Sequence, residues 1–182
     1  MKQPSIRSLI SRSALPVYLL LSAGAFASGS LILPPDIANA TINGTEYGPV
    51  TLRDGNWEGE PWVEGGASRP RLGLANDFIL RGDIDGDGFD EAVVLVWQSS
   101  GGSGTFNYIA LMDHGENGLH NTATAPLGDR IKVLGGSISK NLLELQVIEH
   151  DEDDPACCPT REATRNYDAQ LQAIASPDRK PQ

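Results

Sequence analysis

The sequence predicts a mainly β protein: a small antiparallel sheet, sandwich or partial barrel built around a central hairpin. Three observations carry this. From residue 50 onward, short apolar runs alternate with Gly, Asn, Asp and Ser clusters, the pattern of many short strands. One run, Ala92–Val96, contains no polar residue and reads as a strand covered on both faces. No stretch combines a long helical apolar period with end caps.

The N-terminus reads as an export leader. Lys2, Arg7 and Arg12 form a positive segment without an acidic residue, and Ala14 to Ala27 is apolar apart from Pro16, Ser22 and Gly24. Ala25-Phe26-Ala27 and Ala38-Asn39-Ala40 both offer small-x-small cleavage sites. Residues 1–40 are therefore assigned to a leader, with cleavage near 27 or near 40. Ala14–Leu33 carries no charge and has the length of a membrane anchor, so retention without cleavage is the alternative. Either way the remainder is expected to be periplasmic or secreted, with no membrane span once the leader is removed. Pro34-Pro35-Asp36 reads as a linker. Residues 41–172 form the exported domain. The tail 173–182 has two prolines and is expected to be disordered.

The expected strands are Val50–Arg53, Trp57–Glu58, Arg71–Leu74, Phe78–Arg81, Glu91–Trp97, Phe106–Met112, Gly118–Ala125, Ile131–Gly135, Asn141–Glu149 and Ala163–Gln170. In the ninth, Leu143, Leu145 and Val147 recur at period two, which makes one face apolar. The last lies in Arg161–Ala173, the best helix candidate of the chain, but its centre Thr164-Arg165-Asn166-Tyr167 favours a strand. Ser99-Ser100-Gly101-Gly102-Ser103-Gly104 joins two strong strands and predicts the central hairpin. A phosphate loop would need a following helix N-terminus, whereas Thr105-Phe106-Asn107-Tyr108 is β-like.

Charge limits the partners. The chain has 14 basic and 24 acidic residues, a net charge of −10. Nucleic acid and anionic membrane surfaces would repel it, so neither is expected as a partner. Removing residues 1–40 takes away three basic residues and only Asp36, so the acidity belongs to the folded part.

That acidity is ordered at Asp83-Ile84-Asp85-Gly86-Asp87-Gly88-Phe89-Asp90-Glu91. Ca2+ takes roughly six to eight oxygen ligands, and alternate side chains of a tight loop supply them. Asp83, Asp85 and Asp87 stand at the first, third and fifth positions, and Gly88 permits the turn. Phe89 offers its backbone carbonyl, and Glu91 returns to the ion directly or through water. Asp90 is expected to point away. The other reading is a solvated Asp/Gly turn without metal. An EF-hand is excluded, because its bidentate Glu would fall where Val94 stands and because an apolar β run follows.

Gly82-Asp83-Ile84-Asp85-Gly86-Asp87-Gly88, Glu91 and the strand Ala92–Leu95 resemble the Asp-x-Asp-x-Asp-Gly loops of FG-GAP/VCBS-type, integrin-like β repeats. The resemblance covers Arg81 to Trp97 and implies a structural Ca2+. The family usually has Asp where this chain has Glu91. Those families stack several repeats into a propeller, and a single copy here argues against a full propeller. Most of residues 39–170 also resembles a group of exported bacterial proteins that share Gly65–Pro70, the acidic loop, Ser100–Phe106 and Cys157-Cys158-Pro159. That resemblance brings no activity with it.

Cys157 and Cys158 are the only cysteines, and they are adjacent. A vicinal disulfide forming a rigid turn, free or cross-linking thiols, and a redox or metal site all remain open. Glu149–Asp154 reads as a solvated acidic loop or a second cation site. His114, His120 and His150 lack zinc-ligand spacing, and Ser99, Ser100 and Ser103 lack a nucleophile elbow. Trp57, Trp62 and Trp97 read as packing residues. Trp57 and Trp62 are alternatively the walls of a sugar site. These readings favour a non-enzymatic module that binds a protein or glycan of the cell envelope. The alternative is a hydrolase or redox accessory protein using the acidic loop, the histidines or the cysteine pair.

Overall fold

The computed structural model describes residues 34–115 and 118–174. It is mainly β, with one turn of helix, α1 (Pro35–Ala38), and eleven strands among the described residues. These are β1 (Thr41–Ile42), β2 (Val50–Thr51), β3 (Asn56–Glu58), β4 (Arg71–Gly82), β5 (Glu91–Ser99) and β6 (Phe106–Gly115). They continue as β7 (Gly118–Asp129), β8 (Lys132–Ser139), β9 (Leu142–Glu149), β10 (Arg161–Tyr167) and β11 (Ala173–Ile174). A five-stranded sheet runs β3-β4-β5-β6-β7, a four-stranded sheet β11-β10-β9-β8, and β1 pairs with β2. All pairings are antiparallel. The large sheet curls into an open half-barrel and closes neither a barrel nor a propeller.

The period-two geometry of β5 explains why its sequence is apolar throughout. Ala92, Val94 and Val96 face a cluster with Ile37, Ile42 and Leu52. Val93 and Leu95 face the opposite way, toward Leu143, Leu145 and Val147 of β9. β6 divides likewise, with Tyr108, Ala110 and Met112 on the first face and Ile109 and Leu111 on the second. The central hairpin β5–β6 is thus the middle layer, and each face needs its own apolar set.

Several expectations need correction. Pro34-Pro35-Asp36 is not a linker, because Pro35 opens α1, where a missing N–H is harmless. Ile37 and Ala40 are buried in the first cluster, so the folded body begins by Pro35 rather than at 41. The expected leader falls outside the described residues as far as residue 33, and so does a cut near Ala27. The tail expectation fails at its start, where β11 pairs with Asn166 and Tyr167 of β10; residues 175–182 lie outside the description. Arg71–Leu74 and Phe78–Arg81 are one strand. Leu74 pairs with Val96 and Ile79 with Val94, so the residues between them form a bulge opposite Leu95. The last strand ends at Tyr167, because a turn held by Asp168 follows. Its Oδ1 accepts from the N–H groups of Gln170 and Gln172.

The two ends of β5 carry different features. The acidic loop enters at Glu91. The Gly-rich hairpin leaves at the far end, about 30 Å away at roughly 3.3 Å per residue. At that far end the Trp62 indole N–H and the Ser68 hydroxyl both donate to the Ser100 carbonyl. The Arg130 guanidinium also donates to the carbonyls of Ser103 and Ala156. Gly65–Pro70, Ser100–Phe106 and the cysteine loop therefore meet in space.

Candidate metal centre

The acidic loop is built by its own backbone. β4 ends at Gly82, β5 begins at Glu91, and these two residues pair directly. Ile84, fully buried, plugs the loop into the second apolar cluster beside Leu111 and Leu171. Its two neighbours, Asp83 and Asp85, are thereby turned toward the surface. Asp83 Oδ1 accepts from Gly86 N–H at 2.6 Å and Oδ2 from Gly88 N–H at 3.0 Å. Asp85 Oδ1 accepts from Asp87 N–H, and Asp87 Oδ1 from Phe89 N–H. Gly86 has φ +86°, and a Cβ there would stand 2.6 Å from the Asn141 side-chain amide. The Asn141 side chain from the β8–β9 turn lies against the loop there, and the positive φ favours glycine.

Asp83, Asp85 and Glu91 each bring a carboxylate oxygen into one group whose atoms lie within 4.8 Å of one another. Glu91 is only 2% exposed. Its Oε2 accepts the Ile84 N–H at 2.9 Å, while Oε1 is buried with no hydrogen-bond partner. A buried carboxylate oxygen left without a donor is costly, and a cation would satisfy it. Burial raises the Glu91 pKa; the Ile84 N–H acts against that, and the charges of Asp85 and Asp113 add to the rise. Three carboxylates form a hard oxygen donor set, which suits Ca2+ or Mg2+ rather than zinc.

Of the four expected carboxylate ligands, Asp87 stands apart from this group. Asp87 is exposed, and its carboxylate turns to the Phe89 N–H. Phe89 was expected to lend only its carbonyl, and its ring is 74% exposed. Asp90 is exposed and outside the group, as expected. None of His114, His120 and His150 joins it.

Sequence reasoning missed Asp113. It lies on β6, one residue beyond Met112, the partner of Ala92 on β5, and it lines the same cleft as Glu91. The signal was present: reflecting the chain about Gly102, the middle of the Gly-rich run, brings Asp113 onto Glu91. A cleft of about 280 Å³ opens beside the loop, where Asp85, Glu91, Asp113, Thr122 and Gln170 supply the polar lining.

The remaining candidates fall into structural roles. Cys157 and Cys158 form an exposed vicinal disulfide with Cα atoms 3.7 Å apart. In the run before them, Glu149 is buried and accepts from Arg161 at 2.6 Å and from Arg165. Burial pushes its pKa up, but the hydrogen bonds from Arg165 and then Arg161 outweigh this and hold it below the ordinary value. Asp154 caps the loop, accepting from the N–H groups of Asp151 and Thr160 and from the Thr160 hydroxyl. With both so engaged, the run does not read as a second cation site. Trp57 packs near Tyr47, with ring centroids 5.6 Å apart, and Trp62 is 57% exposed.

No protein-family model, curated protein or solved structure matches the chain. Among the described residues no helix is long and apolar enough to cross a membrane.

Proposed function

We propose that this chain is an exported β module whose acidic loop binds a structural Ca2+, and that it serves a non-enzymatic binding or accessory role in the cell envelope. The observation that carries the metal reading is the buried, unpartnered Oε1 of Glu91, a residue of the group formed with Asp83 and Asp85. A solvated Asp/Gly turn accounts for the hydrogen bonds inside the loop but leaves that oxygen unexplained. The layout shared with FG-GAP/VCBS-type loops supports the same choice of ion. The positively charged, then apolar, leader supports export, and so does a cysteine pair in the oxidised state.

The ion would fix the point where the best-buried strand begins. Glu91 opens β5, and the loop behind it is held in the core by Ile84 alone. For the partner, an envelope protein or glycan, the far end of β5 offers Trp62 as an exposed indole. Thermal unfolding with Ca2+ and with chelator tests the metal reading. With a site near 10 μM, 1 mM Ca2+ adds about 2.7 kcal/mol of stability. An unchanged midpoint across that range overturns it.

A redox accessory role is the second reading, favoured by the exposure of Cys157 and Cys158. Thiol titration before and after mild reduction separates the two. A pair that resists reduction at the potentials of exported thiol carriers removes the redox reading.

A further inference from the structure

We infer that Asp113 is a further carboxylate ligand of the cation site, supplied by the neighbouring strand β6 rather than by the acidic loop. The inference rests on the metal reading above and goes beyond the loop's own motif. Three observations converge on it. First, the central hairpin pairs Ala92 with Met112, so Glu91 and Asp113 are the next residues along the two strands and fall on the same face of the sheet. Second, Asp113, Asp85 and Glu91 line the same cleft, where Thr122 and Gln170 complete the polar wall. Third, Glu91 Oε1 is buried without a partner beside them. Asp113 itself joins none of the ion pairs among the described residues.

The coordination arithmetic favours a donor from outside the loop. Ca2+ takes roughly six to eight oxygens. Asp87, which the motif would assign to the ion, lies outside the group. The loop therefore presents Asp83, Asp85 and Glu91, of which Asp85 and Glu91 line the cleft. Asp113 lies outside the 4.8 Å group, so it reaches the ion across the cleft, directly or through one water. Such an ion spans three parts of the chain: the loop, β6, and the Asp168–Gln172 turn whose Gln170 closes the cleft. That turn belongs to the second sheet and is anchored by Leu171, which is 2% exposed. Ca2+ then links the two sheets as well as ordering one loop.

Calorimetric titration of the purified protein with Ca2+ tests this, at fixed ionic strength, for the unsubstituted chain, Asp113→Asn and Asp90→Asn. Asp90 is exposed in the same loop and measures the effect of losing a nearby charge without losing a ligand. The expected result is a Kd weakened at least 10-fold by Asp113→Asn and less than 3-fold by Asp90→Asn. Chelator-treated Asp113→Asn unfolds at a midpoint equal to or above that of the unsubstituted chain, since repulsion is relieved. Ca2+ is also expected to slow exchange of the Leu171 amide in the unsubstituted chain and not in Asp113→Asn. Equal affinities for the two variants, with Ca2+ still bound, overturn the role of Asp113 and leave the loop site standing. No Ca2+ binding by the unsubstituted chain overturns both. A chelator-state midpoint lowered by Asp113→Asn, with affinity unchanged, assigns Asp113 a packing role and also overturns the inference.

Discussion

Replacing Glu91 with glutamine is expected to reverse the order of stability between chelator and Ca2+. The side chain is 2% exposed, and Oε2 accepts the Ile84 N–H, a bond that the glutamine carbonyl preserves. Oε1 has no partner, and the glutamine amide placed there donates toward Asp83 or Asp85. At the 4.8 Å limit that encloses these oxygens, a like-charge pair costs about 3 kcal/mol at an effective dielectric near 20 and about 1 kcal/mol in water. Asp85 is exposed and Asp83 half-buried, so the relief sits toward the lower figure, about 1–2 kcal/mol. In chelator, Glu91→Gln therefore unfolds later, by about 3–5 °C per kcal/mol for a domain of this size. At Ca2+ about 100 times Kd the unsubstituted protein gains about 2.7 kcal/mol and moves ahead by about 1 kcal/mol, because the variant has lost its ligand. Paired thermal scans in chelator and in Ca2+ measure both differences. A variant that is less stable by the same amount in both conditions would falsify the reasoning, since Glu91 would then be an ordinary buried packing residue.

Other outcomes are expected from the same geometry. Gly86→Ala puts a Cβ at φ +86° against Asn141, so stability falls by about 1–2 kcal/mol and Ca2+ binding weakens; urea denaturation with and without Ca2+ measures both. The Glu149 carboxyl is held below its ordinary value of 4.5, so its contribution is complete above pH 4.5 and is lost as pH falls through the lower folded value. Denaturation from pH 6 to pH 3 shows the sign: Glu149→Gln starts less stable and has a shallower acid limb, and equally steep limbs would count against the assignment. Reducing Cys157–Cys158 is expected to shift stability by about 1 kcal/mol or less, because the two residues are adjacent and the closed loop is minimal. A shift of several kcal/mol on adding reductant would show that the turn shapes the domain.

The legibility of this chain in its sequence follows the range of the interactions involved. The run Ala92–Val96 announced a strand covered on both faces because period-two geometry demands two apolar neighbours, and both are present. Alternation in Leu142–Glu149 identified Leu143, Leu145 and Val147 as core for the same local reason. α1 was missed because Pro34 and Pro35 read as a break. What overrides that is Ile37, which finds its partners only across the fold. The β4 bulge was also invisible, since Ala75–Phe78 looks like a turn unless β5 lies alongside.

At the acidic loop, composition and spacing determined by themselves that carboxylates and glycines would share one tight turn ahead of a buried strand. That is a local property of nine residues, set by backbone geometry and by Asx hydrogen bonds. Which carboxylates converge was decided by tertiary structure. Ile84 must enter the second core cluster, and Asn141 presses on Gly86 from the β8–β9 turn. Together they aim Asp83 and Asp85 at Glu91 while Asp87 turns away. Asp113 comes to the same cleft only because the central hairpin pairs in one register, and register is fixed by burying two apolar faces at once. The loop's turn geometry was therefore legible in the residues, and the grouping of its carboxylates waited on the fold.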